Sequence, residues 1–190
     1  VHAGIIVVCS TQFQIVHDLF CPLVDAEGVW HEVFPFLLII SGNESDTASY
    51  NQAIVDTIRK SGGNNAERYI MVPGYDASLD GATNNYFKLP TDSAENKLIV
   101  SIHAYSPADE GSVDTFDVNG SGAKEIDNIM DTLYVKYVSK NIPVVVGEFG
   151  ARAKGTNVQA RTDYATYYIA AARARGITCC WWDNNAYNPN

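Results

Sequence analysis

Cationic residues are scarce in this chain: 13 Lys and Arg stand against 22 Asp and Glu, for a net charge of −9 and a pI near 4.7. Nucleic acid is therefore a poor partner, because gripping phosphates and releasing their counterions takes a cationic face. No apolar run approaches the roughly 20 residues a spanning helix needs, so no membrane partner is expected. No segment has the layout of a signal peptide. Starting at Val1 rather than Met, the chain reads as a processed or cloned fragment, which leaves its compartment open. Cysteine is sparse, and Cys9, Cys21, Cys179 and Cys180 lack metal-ligand spacing. Adjacent Cys179 and Cys180 would point to opposite faces of a strand. The four read as buried thiols, with a disulfide from Cys9 or Cys21 left open. No His/Asp/Glu cluster has ligand spacing either, so no metal and no cofactor is expected. Repeats, low-complexity tracts and linkers are all missing, and 190 residues read as one domain around one core.

What the chain does have is a succession of apolar runs bounded by turn residues. These are "GIIVVCS" (4–10), "FPFLLIIS" (34–41), "RYIMVPG" (68–74), "KLIVSIHAY" (97–105), "IPVVVGEFG" (142–150) and "GITCCWWDN" (176–184). Between several of them the apolar spacing turns helical. Ile126, Ile129, Met130, Leu133, Tyr137 and Val138 mark one face over 125–138, and Ile54, Val55 and Ile58 mark another over 50–60. A third helix is predicted over 160–175, with Tyr164, Tyr167 and Tyr168 and a stop at Gly176. Strands alternating with helices imply βα units and a parallel sheet with right-handed crossovers. Residues 11–33 show no clean period, although Trp30 reads as a helix anchor. The segments 74–96 and 105–123 read as long polar loops of the kind that carry function.

The ends of these strands are unusual. In "VVVGEFGAR" (144–152) a run of β-branched residues, the mark of a strand buried on both faces, gives way to Gly147 and then the Glu148 carboxylate. A lone buried carboxylate is costly, so Glu148 is either solvated or paired, for example with Arg152, or it is displayed for chemistry at the rim where barrel enzymes keep it. Other strand ends carry Asn43 and Glu44, His103 and Tyr105, and Trp182, Asp183 and Asn184. Each alone has an ordinary structural explanation as turn, core or packing residue. Together they supply two carboxyl groups, hydroxyl-binding donors and a flat apolar face for a sugar ring, the parts of a glycoside hydrolase.

The stretches "YNQAIVDTIRKSGGNNAERYIMVPGYDAS" and "FKLPTDSAENKLIVSIHAYSPAD", followed by "IPVVVGEFGAR", "YYIAAARARGI" and "WWDNNAY", resemble the bacterial family 5 glycoside hydrolases, the cellulase and endoglucanase branch. The resemblance covers about residues 36–188 and, more weakly, 2–10. It implies an α/β fold, a truncated (β/α)8 TIM barrel of about six parallel strands with incomplete helices, forming a single incomplete catalytic domain over 1–190. It further implies a retaining β-glycosidase acting on β-1,4-glucan or its oligosaccharides, with Glu148 as nucleophile and Glu44 as acid/base. Asn43 would hold the substrate 2-hydroxyl, and His103 and Tyr105 would orient the nucleophile and the sugar. Trp182 would stack under the reacting ring, with Asn184 beside it in the substrate-binding set.

The chain departs from the family pattern in places. The first two barrel strands and an arginine after the second are missing. "CSTQFQ" stands where paired histidines are expected, and Ser45 replaces a proline after the acid/base. An open barrel would leave strand edges uncovered, so either the N-terminal segment folds over the gap or two copies pair as a homodimer. Rival readings follow: a β-glucosidase or a xylan- or xyloglucan-active variant, a catalytically impaired remnant that still binds carbohydrate, and an unstable fragment with no role.

Overall fold

The computed structural model describes residues 5–7, 21–24, 30–33, 44–107 and 113–182. The chain divides into two compact units, Val1–Ser101 and Ile102–Asn190, and strand β5 carries the backbone from one into the other.

In the first unit, β1 (Ile5–Val7), β4 (Tyr69–Pro73) and the start of β5 (Leu98–His103) are neighbours in that order and all parallel. Ile6 lies opposite Ile70, and Val72 opposite Val100. The four consecutive buried residues of β4, Ile70 to Pro73, are what a two-sided parallel strand requires. Helix α1 (Thr47–Lys60) begins earlier than its apolar period suggests and buries Val55 and Ile58 together with Asn51 and Arg59. Its polar members are paired: Asn51 Nδ2 donates to the Pro73 carbonyl at the end of β4 (2.8 Å). Here the structure corrects two readings. Residues 21–33 hold an antiparallel pair, β2 (Cys21–Val24) and β3 (Trp30–Val33), so Trp30 opens a strand rather than anchoring a helix. The connection 74–96 also contains a short helix, α2 (Leu79–Thr83). Serine begins α2 as a side-chain cap, with Ser78 Oγ accepting from Gly81 N (2.9 Å). Gly81 is obligatory for a different reason: a Cβ there would sit 1.9 Å from the Tyr75 carbonyl oxygen, and one at Gly74 would sit 2.3 Å from Ala82 N. Two stretches of backbone cross where no side chain fits.

In the second unit the end of β5 neighbours β6 (Val144–Phe149), which neighbours β7 (Thr178–Trp181) in parallel. The crossovers are α3 (Ser121–Lys136) and α4 (Val158–Ala174). Ile126, Ile129, Met130 and Leu133 of α3 are buried as their spacing predicts, and so are Tyr164 and Tyr168 of α4. Tyr167 lies outside that stripe and donates to Asp127 of α3 (2.7 Å). Gly176, with φ of 69°, ends α4 in the left-handed region, as its position predicts. Fully burying side chains of the size of Ile126, Leu133 or Val146 stabilises by about 1.5–3 kcal/mol each. The first unit buries apolar side chains of its own, among them Val55, Ile70 and Val72.

Five of the roughly six expected strands are described, β1, β4 and β5 parallel to one another and β6 parallel to β7; the remaining one, 34–41, lies outside the described residues. The cysteines differ from expectation as well. Cys179 and Cys180 are free thiols, one half-buried and the other exposed, on the two faces of β7. Burial, with a smaller contribution from Cys180, pushes the Cys179 thiol up to about 11.

Candidate active site

Glu148 sits in an irregularity of β6. Between the pairs Val146–Cys179 and Phe149–Trp181, β6 advances three residues while β7 advances two. The surplus residue makes a bulge at Gly147–Glu148, a device that bends a strand and re-aims a side chain. Glycine before the carboxylate suits that geometry, having no side chain to fit. The backbone on either side is fastened: Ala104 N donates to the Glu148 carbonyl (3.0 Å), and Trp182 N to the Phe149 carbonyl (2.8 Å). Phe149, the next residue, is stacked on Tyr168 (centroids 4.2 Å apart) and meets Trp181 edge-on (5.3 Å). Tyr168 in turn donates its hydroxyl to the Ala104 carbonyl (2.9 Å). An aromatic cluster thus anchors the strand that displays the carboxylate.

The carboxylate itself is partly buried and has two partners. Tyr105 donates its hydroxyl to Glu148 Oε2 at 2.7 Å, and His103 Nδ1 lies 3.4 Å from the same oxygen. Burial, then the bond to Glu148 and its charge, push the Tyr105 phenol far above its ordinary range. It is therefore a permanent O–H donor. Burial draws His103 below its ordinary value of 6.5 and outweighs the upward pull of the Glu148 carboxylate, so its imidazole is neutral at pH 7. The contact is then that of a neutral imidazole with a carboxylate. Both contacts fall on the same carboxylate oxygen, Oε2. Trp182 follows β7 and is 49% exposed, an uncommon state for so large an apolar ring.

In the first unit, Glu44 opens the short turn Glu44–Asp46 that leads into α1. Its Oε1 accepts a hydrogen bond from Asn84 Nδ2, at the end of α2. Asn84 is absent from the sequence-predicted set; the only signal for it was an asparagine pair inside a long polar loop. Of that set, the structure brings together His103, Tyr105 and Glu148 and describes Trp182 and Glu44 in their own surroundings, while Asn43 and Asn184 lie outside the described residues. Among the described residues no group of three His, Cys, Asp or Glu side chains could hold a metal ion, and no helix is long and apolar enough to cross a membrane.

Parallel strands alternating with helices, with acidic and aromatic side chains at strand ends, define a chain of the α/β class. The profile of cellulase (glycosyl hydrolase family 5) matches residues 26–188. This chain belongs to that family. It is 42% identical over 146 residues to endoglucanase A of Clostridium longisporum and 44% identical over 144 residues to endoglucanase B of Neocallimastix patriciarum. Those alignments cover 74% and 72% of this chain but 28% and 29% of the relatives, so the chain spans less than a third of their length. Among solved structures it is similar to a family 5 lichenase of Caldicellulosiruptor sp. F32, a mutant in complex with cellotetraose (50% identity, TM-score 0.71, 77% of this chain and 42% of that one). It is also similar to a family 5 xyloglucanase of Paenibacillus pabuli (29% identity, TM-score 0.69, 79% and 52%).

Proposed function

We propose that the protein is a retaining β-glycosidase that cleaves β-1,4-glucosidic bonds in cellulose-type glucans or their oligosaccharides, with Glu148 as nucleophile and Glu44 as acid/base. The observation that carries this reading is the Glu148 carboxylate on a bulged strand end, one oxygen held at 2.7 Å by a phenol that does not ionise in the working range. In the first step the remaining oxygen, Oε1, attacks the anomeric carbon while Glu44 passes its proton to the departing glycosidic oxygen. In the second, Glu44 takes a proton from water, the water oxygen attacks the same carbon, and Glu148 leaves as carboxylate. Two inversions give retention. Tyr105 holds the nucleophile's orientation throughout, and its O–H stabilises the carboxylate as it departs. Neutral His103 fills the space beside Oε2 without neutralising the attacking group. Trp182 offers its exposed face to the sugar, and Asn43 and Asn184 are proposed to bind hydroxyls. The relatives' names range over endoglucanase, lichenase and xyloglucanase, and the same family supports a β-glucan substrate here. The family profile runs through both compact units, which supports reading residues 1–190 as parts of one incomplete catalytic domain.

The deciding experiment is hydrolysis of an aryl β-cellobioside by the wild type, Glu148→Gln and Glu44→Gln, with the anomer of the first product read by NMR. Turnover lost in Glu148→Gln, with a β-configured first product in the wild type, supports the proposal; an α-configured first product refutes the retaining mechanism. A second reading, a binding remnant, is favoured by the exposure of Trp182. Cellotetraose binding abolished by Trp182→Ala, with no turnover in any variant or in the wild type, would establish it instead.

A further inference from the structure

We propose that Asn84 is a positioning residue for the acid/base: its amide holds Oε1 of Glu44 so that the transferable proton is confined to Oε2. This rests on the reading of Glu44 as the acid/base. The side-chain amide of Asn84 has only one orientation that fits its surroundings. Its Oδ1 accepts from two backbone donors, Tyr86 N at 2.9 Å and Phe87 N at 3.2 Å. Turning the amide over would set an NH2 group against both of those N–H groups and abandon Glu44. Nδ2 is thereby committed to Glu44, whose Oε1 accepts from it.

The amide is also fixed in space. Asn84 closes α2, its own N–H donating to the Asp80 carbonyl at 2.8 Å. The other end of α2 is capped by Ser78 and pressed against Tyr75 at the Gly81 crossing, where not even a methyl group fits. Glu44, by contrast, is a long side chain on a three-residue turn, with rotamer freedom that a proton donor cannot use. Nδ2 carries hydrogens and has no lone pair to offer. An O–H on Oε1 would confront it, so the protonated acid carries its proton on the opposite oxygen. An amide keeps this polarity at every working pH, in both the proton-giving and the proton-taking step.

Two variants and two substrates test the assignment in the intact protein. Asn84→Asp keeps the acceptor for Tyr86 N and Phe87 N but exchanges the donor for an anionic oxygen that repels Glu44, whereas Asn84→Ala removes donor and acceptor without adding charge. The substrates are phenyl β-cellobioside, whose leaving group needs a proton, and 2,4-dinitrophenyl β-cellobioside, whose leaving group departs without one. For both variants we expect kcat/KM on the phenyl substrate to fall about tenfold or more while the dinitrophenyl substrate changes by less than about threefold. Equal losses on the two substrates, or an Asn84→Asp protein indistinguishable from wild type on both, would mean that the residue merely supports its loop and would overturn the proposal. Glu44→Gln separates the two levels of the reading. If it shows the leaving-group split and the Asn84 variants do not, Asn84 alone is wrong; if it shows no split, the acid/base assignment fails and takes the Asn84 proposal with it.

Discussion

Asp92→Asn tests whether one buried ion pair holds the site's supporting loop to α1. Arg59 of α1 grips Asp92 with both arms of its guanidinium, Nε to Oδ1 and Nη2 to Oδ2, each at 2.7 Å. Its third donor reaches the Asn65 carbonyl at 2.7 Å, and Ala94 N adds a bond to Asp92 Oδ1 at 3.1 Å. Both side chains are only 6% exposed. Burial alone would raise the Asp92 carboxyl, but the Arg59 hydrogen bonds, the Ala94 amide, the Arg59 charge and the Ser93 amide together hold it below its ordinary 3.8. Removing one member of such a pair strands the other charge in a dry site, at a cost of about 3–5 kcal/mol. That is a large share of the roughly 5–15 kcal/mol available to an ordinary domain. The exposed pair Lys154–Asp114, 2.9 Å long but with side chains 46% and 65% exposed, is the internal control. Asp114→Asn should cost at most about 1 kcal/mol. Urea unfolding at pH 7 measures both. The sign of the pH dependence follows from the depressed carboxyl: the stabilisation is complete above the unfolded value near 3.8 and is lost as pH falls through the folded one. The gap between wild type and Asp92→Asn should therefore stay level from pH 7 to about pH 5 and close below about pH 4. A cost at pH 7 no larger than that of Asp114→Asn would refute the reasoning.

Two further outcomes are expected. Tyr105→Phe deletes the charge-assisted bond to Glu148 Oε2, worth about 1.5–3 kcal/mol, so kcat on an aryl β-cellobioside should drop about 10- to 150-fold with an unchanged circular dichroism spectrum; a loss under threefold would contradict the role given to that bond. Gly81→Ala places a methyl group 1.9 Å from the Tyr75 carbonyl oxygen, and the forced backbone shift should cost about 1–3 kcal/mol, or about 2–4 °C of Tm for each kcal/mol. A melting curve that superimposes on the wild type would show that the crossing is looser than the geometry implies.

Much of the framework was legible in one dimension. The valines of 144–146, the apolar stripe Ile126–Ile129–Leu133 and the glycine stop at 176 each announced their element, because a strand or a helix face imposes its period on neighbours only two to four residues away. Glu148 was visible for the same reason, a carboxylate interrupting a β-branched run. The β2–β3 pair was missed because four-residue strands are too short for alternation to stand out. Helix α2 was missed because its five residues, "LDGAT", have no apolar face to repeat; what holds them is the Ser78 cap and the Gly74–Gly81 crossing. Asn84 was passed over because an asparagine in a polar loop looks like turn chemistry until its acceptor is known.

Composition, period and punctuation thus determined which segments are strands and helices, which faces they bury, and that acidic and aromatic residues stand at the strand ends. Only the tertiary structure decided which of those residues meet. It set the bulge at Gly147–Glu148 and joined Tyr105 to Glu148 across 43 positions. It also committed the Asn84 amide to Glu44, 40 positions away. The physical reason is one of range: secondary structure is dictated by backbone sterics and burial within a few residues, whereas a hydrogen bond between side chains far apart depends on strand register and loop path, which the whole fold determines at once.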